Sequence, residues 1–253
     1  MTNKIQNPND KYIVRCQNII KSFYSRIGRV KAVEDVSLEI NKGEILGLVG
    51  ESGSGKTTLG KIILGIVRPD SGKVELNTEN PQVIFQDPYN SLDPKMRVAD
   101  IVAEGLMLQG RAKGQGPEVR EKIEEILELV RIPRAALKKY PHEFSGGERQ
   151  RIAIARALVT EPEFIVCDEP VSSLDVTIQL GILNILRDVH KAFGITYLFI
   201  SHDLRAVRFM CDRVIVMKDG KIVEEGAVVD IYKKPNHPYT RELISSILDI
   251  ANG

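Results

Sequence analysis

Strands alternating with helices predict an α/β fold built on a mostly parallel sheet. Three features carry that expectation. Apolar runs bounded by glycine recur along the chain, the runs are continuous rather than alternating, and segments of helical periodicity separate them. Continuous apolar strands suit a sheet covered on both faces.

The strands come first. Glu44-Ile45-Leu46-Gly47-Leu48-Val49 leads straight into a glycine-rich turn, and Phe164-Ile165-Val166-Cys167 ends at a carboxylate pair. Thr196-Tyr197-Leu198-Phe199-Ile200 ends at Ser201-His202-Asp203, and Arg213-Val214-Ile215-Val216-Met217 precedes Lys218-Asp219-Gly220, a hairpin signal. Helical spacing follows over residues 57–67, with Leu59, Ile62, Ile63 and Ile66 on one stripe. It recurs over 118–130, where Val119, Ile123, Ile126, Leu127 and Val130 oppose acids and Lys122, and again over 178–190. Residues 93–137 read as wholly helical, a candidate subdomain. Residues 1–11 are polar, rich in Asn and without the apolar core of a signal peptide, which predicts a flexible leader.

Composition narrows the function classes. The chain has 253 residues, with 35 Lys and Arg against 34 Asp and Glu, for a formal net charge of +1. Such a balance gives no electrostatic footprint for nucleic acid. The hydrophobic share of 43% supplies a core, yet the longest apolar runs fall far short of the roughly 18–20 residues needed to span a bilayer. Cys16, Cys167 and Cys211 are scattered and odd in number, which argues against a disulfide framework and for a reducing cytosol.

Chemistry enters at Val49-Gly50-Glu51-Ser52-Gly53-Ser54-Gly55-Lys56-Thr57-Thr58, which matches G-x-x-x-x-G-K-[ST] with a strand before it and a helix after it. Gly50, Gly53 and Gly55 let backbone N–H groups curl around phosphate oxygens, with Ser52, Ser54 and Thr58 completing the loop. The helix N-terminus adds positive potential. Lys56 is placed to reach the β- and γ-phosphates and the Thr57 hydroxyl to ligate Mg²⁺. A bare glycine-rich turn is the bland alternative. The second carboxylate-bearing strand, ending in Asp168-Glu169, supplies what such a loop lacks: Asp168 for the Mg²⁺ shell and Glu169 to orient and deprotonate the attacking water. Together they predict a P-loop NTPase.

Phe144-Ser145-Gly146-Gly147-Glu148-Arg149-Gln150-Arg151 resembles the signature motif of ABC-type ATPases, whose usual form is Leu-Ser-Gly-Gly-Gln. The sequence departs from that form at Phe144 and Glu148. The Ser145-Gly146-Gly147 core is intact and opens a helix over 150–158, aiming N–H donors at an anion. Other family motifs follow in order. Gln86 matches the Q-loop glutamine, which the resemblance implies touches Mg²⁺ and the water. Ser172-Ser173-Leu174-Asp175 matches the D-loop, and His202 the switch histidine of the γ-phosphate. An aromatic ahead of the first core strand stacks on adenine in this family. Phe23 and Tyr24 are both candidates, and a packed core aromatic is the alternative.

The resemblance covers residues 12–253. It implies a RecA-like core over 12–92 and 160–230, a small antiparallel β subdomain, trimmed between Val74 and Gln86, an inserted α-helical subdomain over 93–159, and a tail over 231–253. Lys234-Pro235-Asn236-His237-Pro238-Tyr239-Thr240-Arg241-Glu242-Leu243 looks like the tail of ATPases from peptide- and nickel-type importers; physically it reads as a surface turn before a helix. Longer relatives continue into a Cys-rich extension that the sequence to Gly253 does not show, so no iron–sulfur cluster is expected. The function implied is ATP hydrolysis with Mg²⁺, Lys56, Gln86, Asp168, Glu169 and His202 carrying the chemistry.

Partners are implied as well. A second ABC ATPase subunit, identical or different, would cap each nucleotide with its signature. Integral membrane permease subunits would dock through the Q-loop and helical subdomain at the cytoplasmic face of the membrane. Met96, Val98, Ile101, Val102, Leu106 and Met107 are groove candidates, with subdomain core as the alternative. A solute-binding protein outside the cytoplasm would take part indirectly, and no nucleic acid is expected. The competing reading is a stand-alone ATPase of a soluble assembly such as carbon–phosphorus lyase. DNA-repair ATPases are disfavoured, because the stretch between Lys56 and Asp168 holds no heptad run or Cys/His cluster.

Overall fold

The computed structural model describes residues 11–25, 28–87, 91–110 and 116–251. The expected leader lies outside them apart from Lys11, as do Pro88, Tyr89 and Asn90 of the Q-loop segment. In chain order the strands are β1 (Tyr12–Ser25), β2 (Gly28–Asn41), β3 (Ile45–Val49), β4 (Ser71–Leu76), β5 (Gln82–Ile84), β6 (Phe164–Asp168), β7 (Thr196–Ser201), β8 (Arg213–Lys218) and β9 (Lys221–Ala227). The α-helices are α1 (Lys56–Ile63), α2 (Val98–Leu108), α3 (Pro117–Leu129), α4 (Gly146–Leu158), α5 (Val176–Phe193), α6 (Leu204–Met210), α7 (Val228–Lys233) and α8 (Pro238–Ala251). No helix among the described residues is long and apolar enough to cross a membrane.

The chain forms two compact units, Met1–Glu79 with Thr196–Gly253, and Asn80–Ile195. In the first, β3 lies between β7 and β8, parallel to both, and β9 closes antiparallel on β8. Every residue of β3 and β7 is buried, as continuous apolar strands require. The β8–β9 turn places Asp219 (φ 49°) and Gly220 (φ 79°) at its two central positions, a mirror-image turn that Asp-Gly adopts readily. A separate antiparallel sheet runs β2-β1-β4. In the second unit β5 pairs parallel with β6, and α2, α3, α4 and α5 complete it.

Two differences from the sequence reading have clear causes. The helix expected over 57–67 stops at Ile63. Gly65, at φ 72°, takes the left-handed position, and the Gly65 and Ile66 N–H groups close back on the Ile62 and Lys61 carbonyls. Ile66 therefore leaves the buried stripe and stands 57% exposed. The signature helix begins at Gly146 rather than Gln150, because Ser145 caps it.

An ion cluster ties the first unit together. Arg213 Nε donates to Glu44 Oε1 at 2.6 Å, and its guanidinium also reaches Glu225 and the Glu39 carbonyl. Burial alone raises the Glu44 carboxyl, but Arg213 and the Asn41 backbone N–H outweigh it and hold the group below its ordinary 4.5. A carboxyl depressed in the folded state contributes fully above its unfolded value and loses that contribution as pH falls through the lower, folded one. Thermal stability is therefore expected to decline as pH drops below about 4.5. Glu44→Gln should cost about 1–3 kcal/mol at neutral pH and flatten the acid limb of a Tm-against-pH curve.

Candidate functional site

In the first unit, buried β3 delivers the chain to Gly50, and the loop turns through Gly50 (φ 150°), Gly53 (φ 84°) and Gly55 (φ 102°) before α1 begins at Lys56. Gly55 decides the geometry. A Cβ there would lie 2.1 Å from the Ala32 carbonyl oxygen, so only glycine lets the loop close on β2. Ser54 bridges to the β8–β9 turn by accepting the Gly220 N–H at 3.1 Å. Ser52, Gly53, Thr57 and Thr58 fill the loop and the first turn as the motif requires.

Lys56 is only 5% exposed. Its ammonium donates to the Gly50 carbonyl at 2.7 Å, the Glu51 carbonyl at 2.8 Å and Ser54 Oγ at 3.3 Å. A buried cation is tolerated only with partners, and the loop supplies them.

His202 follows β7. Parallel register sets Val49 beside Ser201, which brings the start of the glycine-rich loop and the exposed His202 to the same carboxy-terminal end of the parallel strands. Asp203 caps α6 by accepting the Arg205 N–H at 2.8 Å. Phe23 and Tyr24 lie on β1 opposite Val30 and Arg29, 43% and 83% exposed, so neither is a core aromatic. Lys21 Nζ sits 5.5 Å from the Phe23 ring centroid.

In the second unit Asp168 ends β6 half-buried. Glu169 follows at φ 50°, a left-handed conformation that costs a non-glycine residue roughly 1–2 kcal/mol. Its carbonyl accepts from the Ser172 N–H and hydroxyl at 3.3 and 3.2 Å. Burial, then the charge of Asp168, pushes the Cys167 thiol well up. The D-loop aspartate has a visible structural task, because Asp175 caps α5 by accepting the Ile178 N–H at 3.1 Å. Gln86 is exposed just beyond β5, and the Gln150 side chain of α4 donates to the neighbouring Phe85 carbonyl at 3.4 Å.

Ser145 sits exposed at the N-cap of α4, Gly146 follows half-buried, and Gly147 is buried because Ile178 presses on it: a Cβ would lie 2.5 Å from the Ile178 side chain. Glu148 is no mere departure from the motif. Its Oε2 accepts from the Ser145 N–H at 2.9 Å and the Ser145 hydroxyl at 2.8 Å, while its own N–H reaches Ser145 Oγ. That is a capping box, and the bonds from Ser145 hold the carboxyl below its ordinary 4.5 and therefore charged at neutral pH.

Of the groove candidates, Val98, Ile101, Val102 and Leu106 are subdomain core, at most 3% exposed. Met96 is half-buried and Met107 is 39% exposed. The tail is also more than a surface turn. Tyr239 is 3% exposed, and its phenol oxygen accepts the Glu51 N–H of the phosphate loop at 2.9 Å.

Comparison with known proteins agrees with these features. The family described as ABC transporter matches residues 33–172. The chain is 46% identical to the oligopeptide transport ATP-binding protein OppF of Bacillus subtilis, over 93% of its own length and 82% of that protein's. It is 46% identical to the dipeptide transport ATP-binding protein DppF of Lactococcus lactis, over 94% and 81%. Among solved structures it resembles an ATP-binding cassette in a dimeric post-hydrolysis state with ADP and Pi, at TM-score 0.77 and 28% identity, covering 85% of this chain and 98% of that one. A strand-fed phosphate loop, a strand-borne acidic pair, a capped Ser-Gly-Gly helix and these relatives agree: the chain belongs to the ABC transporter family, as one of its ATP-binding, ATP-hydrolysing cassettes.

Proposed function

We propose that this chain is the energy-coupling ATPase of a peptide importer, working as a nucleotide-sandwich dimer on the cytoplasmic face of a permease. The observation that carries the nucleotide site is the glycine-rich loop: it closes so tightly on β2 that no Cβ fits at Gly55, and it holds a buried Lys56 on the Gly50 and Glu51 carbonyls. The names of its relatives supply the cargo class and the transport setting.

The loop N–H groups and Lys56 bind and orient the β- and γ-phosphates of ATP. Phe23 or Tyr24 stacks on adenine. Thr57, Gln86 and Asp168 are oxygen donors suited to Mg²⁺, which takes few protein ligands and keeps water and phosphate oxygens. When bound, the ion supplies charge neutralisation on the phosphates. Glu169 accepts a proton from the attacking water, and His202 holds the γ-phosphate. Ser145, Gly146 and Gly147 of a second subunit close over the nucleotide, so ATP favours the closed dimer through contacts that ADP lacks.

The charged Glu148 sits beside the serine that this reading sets against a γ-phosphate. Glu148→Gln keeps a carbonyl acceptor for Ser145 and removes a negative charge. It is expected to lower the KM for ATP by roughly two- to fivefold, measured in steady-state ATPase assays at low salt. The transport reading is tested by purifying the chain from detergent-solubilised membranes. Integral membrane subunits should come with it, and recovery with soluble enzyme subunits alone would overturn it.

A further inference from the structure

The carboxy-terminal segment is built against the phosphate loop of its own unit. The Glu224 carboxylate on β9 accepts the backbone N–H groups of Asn236 and His237 at 2.7 and 3.0 Å. The Arg241 guanidinium donates back to the Pro235 and Asn236 carbonyls at 3.0 and 2.9 Å. This clasp fixes the start of α8 and points Tyr239 inward. Lys218, at the end of β8, covers the Tyr239 ring at 4.5 Å from its centroid. The phenol oxygen then accepts the Glu51 N–H.

The Gly50–Glu51 peptide plane is thereby held at both ends, because its carbonyl, that of Gly50, accepts from the Lys56 ammonium at 2.7 Å. Rotating that peptide would swing the carbonyl away and move the resting place of Lys56. We propose that Tyr239 is a positioning residue for nucleotide binding, a brace from the tail that fixes the Gly50–Glu51 peptide and through it the Lys56 ammonium. The inference rests on the reading of residues 50–58 as an ATP site. Burial raises the Tyr239 phenol above the ordinary tyrosine value, so it remains a neutral partner across the working pH range.

Tyr239→Phe tests this with the ring, its burial and its contact with Lys218 preserved. Hydrogen exchange at the Glu51 amide should accelerate several-fold, and the Kd for ATP should rise roughly two- to tenfold. The KM for ATP should rise by the same factor while kcat stays within about twofold. Loss of kcat at unchanged KM would mark a merely structural role and overturn the proposal. So would unchanged Glu51 exchange with unchanged ATP affinity. Should that variant fold poorly, Glu224→Gln loosens the clasp while leaving Tyr239 in place. It is expected to weaken ATP binding in the same direction, and unaltered affinity there would count against the brace. ATP titration of the unaltered chain separates the two levels: no binding would overturn the nucleotide reading itself, whereas normal binding confines a failure to Tyr239.

Discussion

Glu169→Gln is expected to cut ATP turnover by about 10²–10⁴, the usual contribution of a positioned general base, while leaving the Kd for ATP within about twofold. The amide has nearly the size of the carboxylate and keeps a carbonyl oxygen that can orient water, but it cannot take a proton near neutral pH. The backbone that presents it is set by the end of β6 and by the Ser172 bonds to the Glu169 carbonyl, neither of which involves the side chain head group. Thermal stability should therefore change little. Single-turnover hydrolysis measured beside nucleotide binding gives the answer. Full activity in this variant would remove Glu169 from the chemistry.

Gly55→Ala should act on the other half of the process. The new Cβ would meet the Ala32 carbonyl oxygen at 2.1 Å, and φ 102° lies where alanine is strained even in open space. Backbone meets backbone, so no side chain can swing aside to relieve the contact. The loop must open away from β2 or β2 must shift, at roughly 2–4 kcal/mol of stability. Because Lys56 follows directly, the opened loop also loses its phosphate geometry, and ATP affinity is expected to fall by about a hundredfold or more. A melting curve and an ATP titration measure the two effects. Wild-type affinity in a folded Gly55→Ala protein would mean that the loop does not bind phosphate in this shape.

Much of the fold was legible because its signals are local. Apolar runs ending in glycine or in a carboxylate pair locate β3 and β6, the run into Ser201-His202-Asp203 locates β7, and Asp219-Gly220 dictates its own turn. The two longest strands were not legible for a physical reason. β1 and β2 carry left-handed residues at Asn18 (φ 49°) and Asp35 (φ 55°), and each such irregularity disrupts the period-2 pattern that a strand reading depends on. The Asn18 side chain donates to Asp35 at 2.9 Å, so the two bulges stabilise each other.

The candidate site shows the same division. Glycine spacing exposes the phosphate loop at once, since the constraint lies within one turn of chain. Ser145 and Glu148 stand at capping-box spacing, yet Glu148 reads as a departure when set against a family motif. The Tyr239 contact joins positions 188 residues apart, and no local pattern encodes such a meeting. The apolar spacing of α2 is equally ambiguous: it fits a docking groove and a buried core, and packing against α4 decides for core at Val98, Ile101, Val102 and Leu106.

The left-handed backbone at Glu169 carries a further consequence. Glycine or asparagine would occupy that conformation with less strain, so the acid stands where backbone energetics disfavour it. A sequence optimised for heat resistance alone would exchange it and, on the role proposed for Glu169, lose its proton acceptor. Durability and turnover thus pull in opposite directions at one residue, and a thermostabilised version of this cassette must find its gains elsewhere on the scaffold.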